Sequence, residues 1–463
     1  MNWLGNKVRE FLASVRGDKM LLLIVILLYL FSITTVLSST SMQVSSGQER
    51  IKMLIGQLAT IILSGGLLFV IYKFCSLKGL MKFGVYGFLG SLLLLAFLDL
   101  HIRIPHFMES QNLNDSWRTV LFFGKVQIHV FEVVKIFSVM YMAWAVTTWT
   151  EDNAVYEENE TDEAILADHR GFWRLRRFAW NRGIAWLEEP FFKRTLFIYL
   201  PFLLTCAMVL PGSNSSMAII ALGMLVTLFV GGFGRGHLAL FIIFCAVVGG
   251  GGLLLLNKLD AKGNRTETGR SRIEAFTRSY EDRLADLREE MKKGTKTRTD
   301  YDKFIDENRQ VQGAKFAIRE GGHPPFGKGP GGSTQKYKVM GMFSDFMFSF
   351  ICEEYGILGA IYVIFLFGCL IARGTRIANY CSSVCARTMV AGLVILISGQ
   401  ALIHILVNVG LMPMTGQTLP ILSDGKSALV MFSIAFGVVL GVSRLVREEI
   451  EKEEEIEKEE EEV

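Results

Sequence analysis

Apolar residues along this chain come in long unbroken runs rather than at the alternating spacing of a half-buried strand. The runs cover 20–37, 53–73, 81–100, 129–149, 194–210, 216–233, 237–256, 344–371, 388–408 and 427–445. About 20 apolar residues cross a bilayer as a helix, so the pattern predicts roughly ten transmembrane spans. The turns at 210–216 and 233–237 are short, which leaves the middle group the hardest to separate. The first run lacks a small-residue cleavage site and is long enough to stay as an anchor, so no cleavable signal peptide is expected.

Three polar segments interrupt the pattern. Residues 150–193 are acidic from Glu151 to Asp168, then basic and aromatic through Trp173, Arg174, Arg176, Arg177, Trp180 and Trp186. That composition suits a helix lying in the cytoplasmic interface, with partner docking as the alternative. Residues 257–343 are charged, and Leu284, Leu287 and Met291 at helical spacing predict a helix over Tyr280–Lys293, braced by Glu289 and Lys293 one turn apart. A loop this long is usually functional. From Glu448 to Val463 the chain is nearly all Glu with a few Lys and Ile, and either extends the last helix or stays solvated. The expected organisation is a cytoplasmic N-terminus 1–19, one membrane domain 20–447 and an acidic cytoplasmic tail 448–463. No internal repeat points to the inverted halves of a transporter.

Composition sharpens this. Hydrophobic residues make up 51% of the chain and the mean hydropathy is +0.36, which excludes a soluble enzyme as the main body. The net charge of +3 averages a basic inner surface with an acidic tail. Lys and Arg cluster at 7–19, 73–82, 170–194 and 373–387, whereas 38–52 and 409–426 are poor in them. The positive-inside rule then puts both termini in the cytoplasm and loops 101–128 and 257–343 outside. All seven cysteines fall in spans or on the inner side, so no disulfide framework is implied, and Cys381 and Cys385 lack the further ligands a zinc site needs.

Ionised groups cost several kcal/mol in hydrocarbon, so those kept beside apolar spans usually line a cavity. Here they are Arg118, Glu132 and Lys135, the stretch Gly327-Lys-Gly-Pro-Gly-Gly-Ser-Thr-Gln-Lys336, and Ser344-Asp345-Phe346. A carboxylate, several cations and a glycine-rich loop at one mouth suit a charged, lipid-linked substrate. His404 on the ninth span reads as a satisfied interhelical histidine without a role, and Gly249–Gly252 as a point of close helix approach.

Three stretches resemble the SEDS family of peptidoglycan glycosyltransferases, the group that contains FtsW and RodA. The first is Asn114-Asp-Ser-Trp-Arg118 with His129-Val-Phe-Glu132-Val-Val-Lys135. The second runs from Gln312 through Gly321-Gly322 and Gly327–Lys336 to Ser344-Asp345-Phe346 and Glu353-Glu354-Tyr-Gly356. The third is Asn408-Val-Gly-Leu-Met-Pro413-Met-Thr-Gly416-Gln-Thr-Leu-Pro420-Ile-Leu-Ser423. The likeness spans 20–445, and the Gly-Lys-Gly-Pro-Gly-Gly-Ser form leans toward the cell-division branch. The chain departs from the family pattern at Met340, Gly341 and Phe343, at Pro211–Ser216, and in Ser423-Asp424-Gly425-Lys426-Ser427, where the family has Ser-x-Gly-Gly-Ser.

The resemblance implies an all-α polytopic membrane protein of the SEDS fold. It would polymerise lipid II, the undecaprenyl-pyrophosphate-linked disaccharide-pentapeptide, into glycan strands at the outer face of the bacterial cytoplasmic (inner) membrane. The reaction would be inverting and serve septal wall synthesis. The partners would be a single-span class B penicillin-binding protein and other divisome membrane proteins, with no nucleic acid. Such chemistry needs a base and cations. Asp345 is the expected base, its alternative being a carboxylate that merely favours a helix N-terminus. Arg118 and Lys135 are expected at the pyrophosphate, their alternative being interface cations that snorkel. Glu132, three residues before Lys135, would orient it. Lys328, Gln335 and Lys336 are expected beside a phosphate held by the glycine-rich loop, the alternative being a plain turn. At 100° per residue, Glu353 lies about 80° and Glu354 about 180° from Asp345, so at most Glu353 shares its cavity, and helix-packing hydrogen bonds are the expected role of both. No residue set for a metal is evident, although a divalent cation (Mg or Mn) could assist the departing pyrophosphate. A lipid II flippase and a scaffold that recruits a transpeptidase are the rival readings.

Overall fold

The computed structural model describes residues 16–40, 47–104, 108–113, 116–123, 126–149, 194–245, 277–278, 280–322, 325–339 and 341–461. The interfacial helix expected within 150–193 and the close helix approach expected at Gly249–Gly252 lie outside the described residues.

The apolar runs form the expected helices: α1 (Lys19–Thr40), α2 (Gly47–Phe74), α3 (Leu77–Asp99), α4 (Val130–Trp149), α5 (Leu200–Val209), α6 (Asn214–Val230) and α7 (Arg235–Cys245). After α8 (Tyr280–Lys292) and α9 (Arg298–Gly321) come α10 (Met347–Asn379), α11 (Val384–Asn408) and α12 (Lys426–Glu461). Among the described residues, seven helices are long and apolar enough to span a bilayer, and the apolar helices over 195–209, 214–230 and 235–245 are shorter. The protein is therefore a multi-pass membrane protein. Side-chain caps set several boundaries: Ser76, Ser213 and Ser383 accept from backbone N–H groups in the first turns of α3, α6 and α11. Thr297 and Asp300 form a capping box at the start of α9.

The segment after α3, expected to face outward, is more than a loop. Strands β1 (Arg103–Ile104), β2 (Met108–Leu113), β3 (Ser116–Phe122) and β4 (Val126–His129) form one antiparallel sheet in the order β1-β2-β3-β4, with a bulge at Gln111/Asn112. It feeds directly into α4 and carries Arg118 on β3.

Consecutive spans run antiparallel, which puts the sheet, the 277–346 segment and the 409–425 loop at one end of the bundle. The opposite end is knitted by charge. Arg373 pairs with Asp18, with Nε 2.9 Å from Oδ2, and the Arg444 guanidinium donates to the carbonyls of Tyr72 and Cys75 at 3.0 and 2.7 Å. Ser382 donates to Glu449 at 2.8 Å, so the acidic tail continues α12 and is tied to the bundle at its root. Large apolar side chains stay exposed around the waist, including Ile62 on α2 and Phe365 on α10, as a lipid-facing surface requires.

A labelling experiment tests which end faces outward. In a cysteine-free chain, cysteines at Ala285 and Lys296 are expected to react with an impermeant thiol reagent added to intact cells, and one at Tyr380 is not. Labelling at 380 alone would reverse the orientation. Position 300, otherwise a natural choice, is avoided because Asp300 closes the capping box.

Candidate functional site

The site grows from the head of α10. Residues 341–346 turn tightly, with the N–H of Asp345 donating to the Gly341 carbonyl at 2.9 Å. The first-turn amides of α10 then need acceptors. Phe348 N–H donates to His404 Nε2 at 3.3 Å and Ser349 N–H to Asn408 Oδ1 at 3.0 Å, both from α11. His404 donates Nδ1–H to the Gln417 carbonyl at 2.7 Å, which fixes its neutral tautomer. Asp345 is thus not the cap of its own helix: Phe346 occupies that position without a side-chain bond. The Asp345 carboxylate, half-buried, lies between two glycines. A Cβ at Gly416 would stand 3.6 Å from its Oδ2, and one at Gly341 4.0 Å, so both walls are kept open.

Behind Gly416 stands a polar core. Gln417 accepts from Lys135 Nζ at 2.7 Å, Gln400 accepts from the same nitrogen at 3.0 Å, and Glu132 at 2.8 Å. The three ammonium protons of Lys135 have three acceptors, and the side chain is fully buried. The expected pair of Glu132 and Lys135 is present, and the Lys135 ammonium, expected at the pyrophosphate, ties α4 to α11 and to the 409–425 loop in this structure. Gln417 also donates to Ser216 Oγ at 3.1 Å, and Ser215 donates to the Thr415 carbonyl at 2.6 Å, so α6 holds the same loop. Arg118 on β3 is half-buried near this cluster. His129, at the junction of β4 and α4, feels it directly: desolvation lowers its pKa, Arg118 and Lys135 push the same way, and Glu132 opposes them.

The glycine-rich loop does something the sequence did not foretell. α10 is broken at Gly356, whose φ of 68° and ψ of −162° suit only glycine. The break strands backbone groups that the helix would have paired, and the loop takes them. Lys328 N–H donates to the Glu353 carbonyl and Gly329 N–H to that of Glu354, each at 2.9 Å, while Leu358 N–H donates to the Pro325 carbonyl at 3.5 Å. The buried carboxylates of Glu353 and Glu354 fill the concavity of the loop. Glu353 accepts from Thr334 N–H at 2.8 Å and from Lys328 Nζ at 2.8 Å. Glu354 accepts from Gly331 N–H at 3.1 Å and from Ser38 Oγ of α1, with Lys336 Nζ 3.5 Å away.

The anions this nest holds in the structure are the protein's own carboxylates. Lys328 sits between Glu320 and Glu353, whose hydrogen bonds outweigh the burial that disfavours its charge and leave its pKa raised. The bond from Lys328 in turn lowers the Glu320 pKa. Lys336 and Gln335 are buried, with the Gln335 N–H on Glu353 at 3.3 Å. Glu353 anchors the loop, while Glu354 both anchors it and, through Ser38, ties α10 to α1, the helix-packing bond expected of it.

Beside Asp345 opens a cavity of about 670 Å³, lined by Asp306, Arg309 and Gln310 of α9, then Lys336, Lys338, Val339, Gly341, Phe343, Ser344 and Asp424. Ser423 Oγ donates to the Ser344 carbonyl at 2.9 Å and Asp424 N–H to that of Phe343 at 2.9 Å, fastening its two walls. Burial raises the Asp424 pKa and neighbouring Lys426 opposes the shift. Arg309 and Lys338 escaped notice in the sequence because they sit in a polar segment where a charge carries no signal. Among the described residues no three His, Cys, Asp or Glu side chains are grouped to hold a metal ion.

A family model described as a cell cycle protein, covering FtsW, RodA and SpoVE, matches residues 18–448. A protein of Caulobacter vibrioides named "Probable peptidoglycan glycosyltransferase FtsW" is 36% identical over 138 residues, 30% of this chain and 35% of that one. "Stage V sporulation protein E" of Bacillus subtilis is 38% identical over 139 residues, 30% of this chain and 37% of its own length. The matched stretch spans about a third of each relative. Among solved structures, a chain from "Structural coordination of polymerization and crosslinking by a peptidoglycan synthase complex" superposes with a TM-score of 0.60 at 18% identity, covering 93% of this chain and 98% of that one. The rod shape determining protein RodA of Thermus thermophilus gives 0.54 at 18% identity, covering 93% and 98%. These likenesses show a shared fold.

Proposed function

The chain belongs to the FtsW/RodA/SpoVE family of cell cycle proteins, and from that membership we propose that it is a peptidoglycan glycosyltransferase that polymerises the lipid-linked disaccharide-pentapeptide at the outer membrane face. The observation that carries the reading is the setting of Asp345. Its carboxylate stands between Gly341 and Gly416 beside the cavity, while His404 and Asn408 satisfy first-turn amides of its helix.

In this mechanism Asp345 accepts the proton of the attacking sugar hydroxyl. The new glycosidic C–O bond forms at the donor's anomeric carbon as its bond to the pyrophosphate oxygen breaks, and the electron pair leaves with the lipid pyrophosphate. Partial desolvation makes a carboxylate a stronger base. Arg118 is the cation assigned to the leaving group, because a fixed guanidinium can bind phosphate oxygens in pairs. Lys135 and Glu132 act one step back, holding Gln417 and thereby the position of Gly416 against Asp345. Membership of a family of cell cycle proteins and the relative named for stage V of sporulation favour a division role, and the synthase complex among the structural neighbours favours a cross-linking partner in the membrane.

The purified chain, incubated with the lipid-linked precursor, is expected to make glycan polymer. Absence of polymer, combined with movement of labelled lipid across a vesicle bilayer, would establish the flippase reading instead.

A further inference from the structure

The 670 Å³ cavity beside Asp345 has a lining that neither the leaving group nor a bare sugar explains. Asp306, Arg309 and Gln310 lie at i, i+3 and i+4 on α9 and share one face. Across from them are Lys338, Val339, Phe343, Ser344 and Asp424. Lys336 also contributes surface, but its ammonium is committed to the Gly331 carbonyl at 2.8 Å and to Glu354. The working charges are thus two cations, Arg309 and Lys338, and two carboxylates, Asp306 and Asp424. None of the four forms an ion pair within the described residues, and Asp306, Arg309 and Lys338 are exposed.

A pyrophosphate would meet repulsion from Asp306 and Asp424. An uncharged saccharide would leave four charges without use. A ligand that carries both signs satisfies the lining, and Val339 and Phe343 offer apolar contact between the charged ends. The volume falls within the roughly 300–1,000 Å³ of small-molecule sites, room for a few amino-acid residues. We propose that this cavity is the subsite for the peptide branch of the substrate, a short peptide bearing both free carboxylate and free ammonium groups, with Asp424 taking the ammonium and Arg309 and Lys338 the carboxylates. The branch hangs from a sugar of the reacting disaccharide, and Ser344 and Gly341 line the cavity while flanking Asp345 in space, so one substrate can fill both. The assignment rests on the glycosyltransferase reading.

Two measurements on the full chain, reconstituted in lipid nanodiscs, test it. The first compares kcat/KM for the lipid-linked disaccharide carrying the full peptide, the same substrate with its peptide ammonium acetylated, and one with the peptide trimmed to its first residue. The wild type is expected to prefer the full peptide by about tenfold or more, the scale of one charge-assisted contact. Asp424→Asn should shrink the preference over the acetylated substrate toward unity, mainly through KM, and Asp424→Glu should recover part of it. Arg309→Gln, at an exposed helix position, should shrink the preference over the trimmed substrate. Equal use of all three substrates by the wild type, or variants that slow all three alike, would overturn the subsite. The second titrates the soluble pentapeptide against the protein by calorimetry. Saturable binding weakened by Asp424→Asn supports the subsite even if no polymer forms, in which case the glycosyltransferase reading alone fails. No binding of the pentapeptide to the wild type overturns it.

Discussion

Replacing Asp345 by Asn is expected to cut polymer formation by about a hundredfold or more, the usual contribution of a positioned general base. Asn keeps the size of the side chain and cannot take a proton. The fold should not notice, because the Phe348 and Ser349 amides of α10 are held by His404 and Asn408, and the Asp345 carbonyl by Asn408 Nδ2 at 3.2 Å. Substrate binding should survive, since Arg118 and the cavity remain. Asp345→Glu is expected to retain little activity: the added methylene would carry the carboxylate about an ångström along a slot walled by Gly341 and Gly416, enough for about a hundredfold loss. Polymerisation at the wild-type rate in Asp345→Asn would rule out this mechanism even with the family membership intact.

Lys135→Ala is expected to act on the fold before it acts on catalysis. Removing one partner of a buried charged pair typically costs about 3–5 kcal/mol, because the remaining charge is left without compensation. Here the loss would strand the part-buried Glu132 together with the buried Gln400 and Gln417 side-chain oxygens. The detergent-solubilised variant should melt well below the wild type, and Lys135→Met, which fills the space without the charge, should do little better. Adding Glu132→Gln to Lys135→Met removes the orphaned charge and should restore part of the lost stability, the coupling expected of groups in direct contact. A Lys135→Ala protein that melts as the wild type does, yet binds the lipid substrate poorly, would return Lys135 to the role of ligand.

The spans were legible because each apolar run carries its own reason to be helical in a bilayer: every backbone group is satisfied within the segment. α8 was legible for a similar reason, its Glu289–Lys293 pair closing at 2.7 Å within a single turn. The pair of Glu132 and Lys135 could be read from a spacing of three. Its other partners could not, since Gln400 and Gln417 lie 265 and 282 residues further along the chain. The sheet over 103–129 was missed because its strands are short and their stability comes from pairing across the sheet, which a local pattern does not carry.

The sequence by itself determined that this chain spans the membrane many times, that its ionised residues gather on few segments, and which carboxylate heads the long eighth apolar run. Local energetics suffice for those decisions. Only the tertiary structure decided what each charge is for. Lys135, Lys328 and Lys336 resemble substrate cations when read along the chain, and in space they meet Glu132, Glu353 and Glu354. Arg309, Lys338 and Asp424 are unremarkable along the chain and converge on the cavity beside Asp345. A buried charge is settled by whichever opposite charge or hydrogen bond the packing brings to it, and the break at Gly356, which seats the glycine-rich loop on α10, is what distributed the partners.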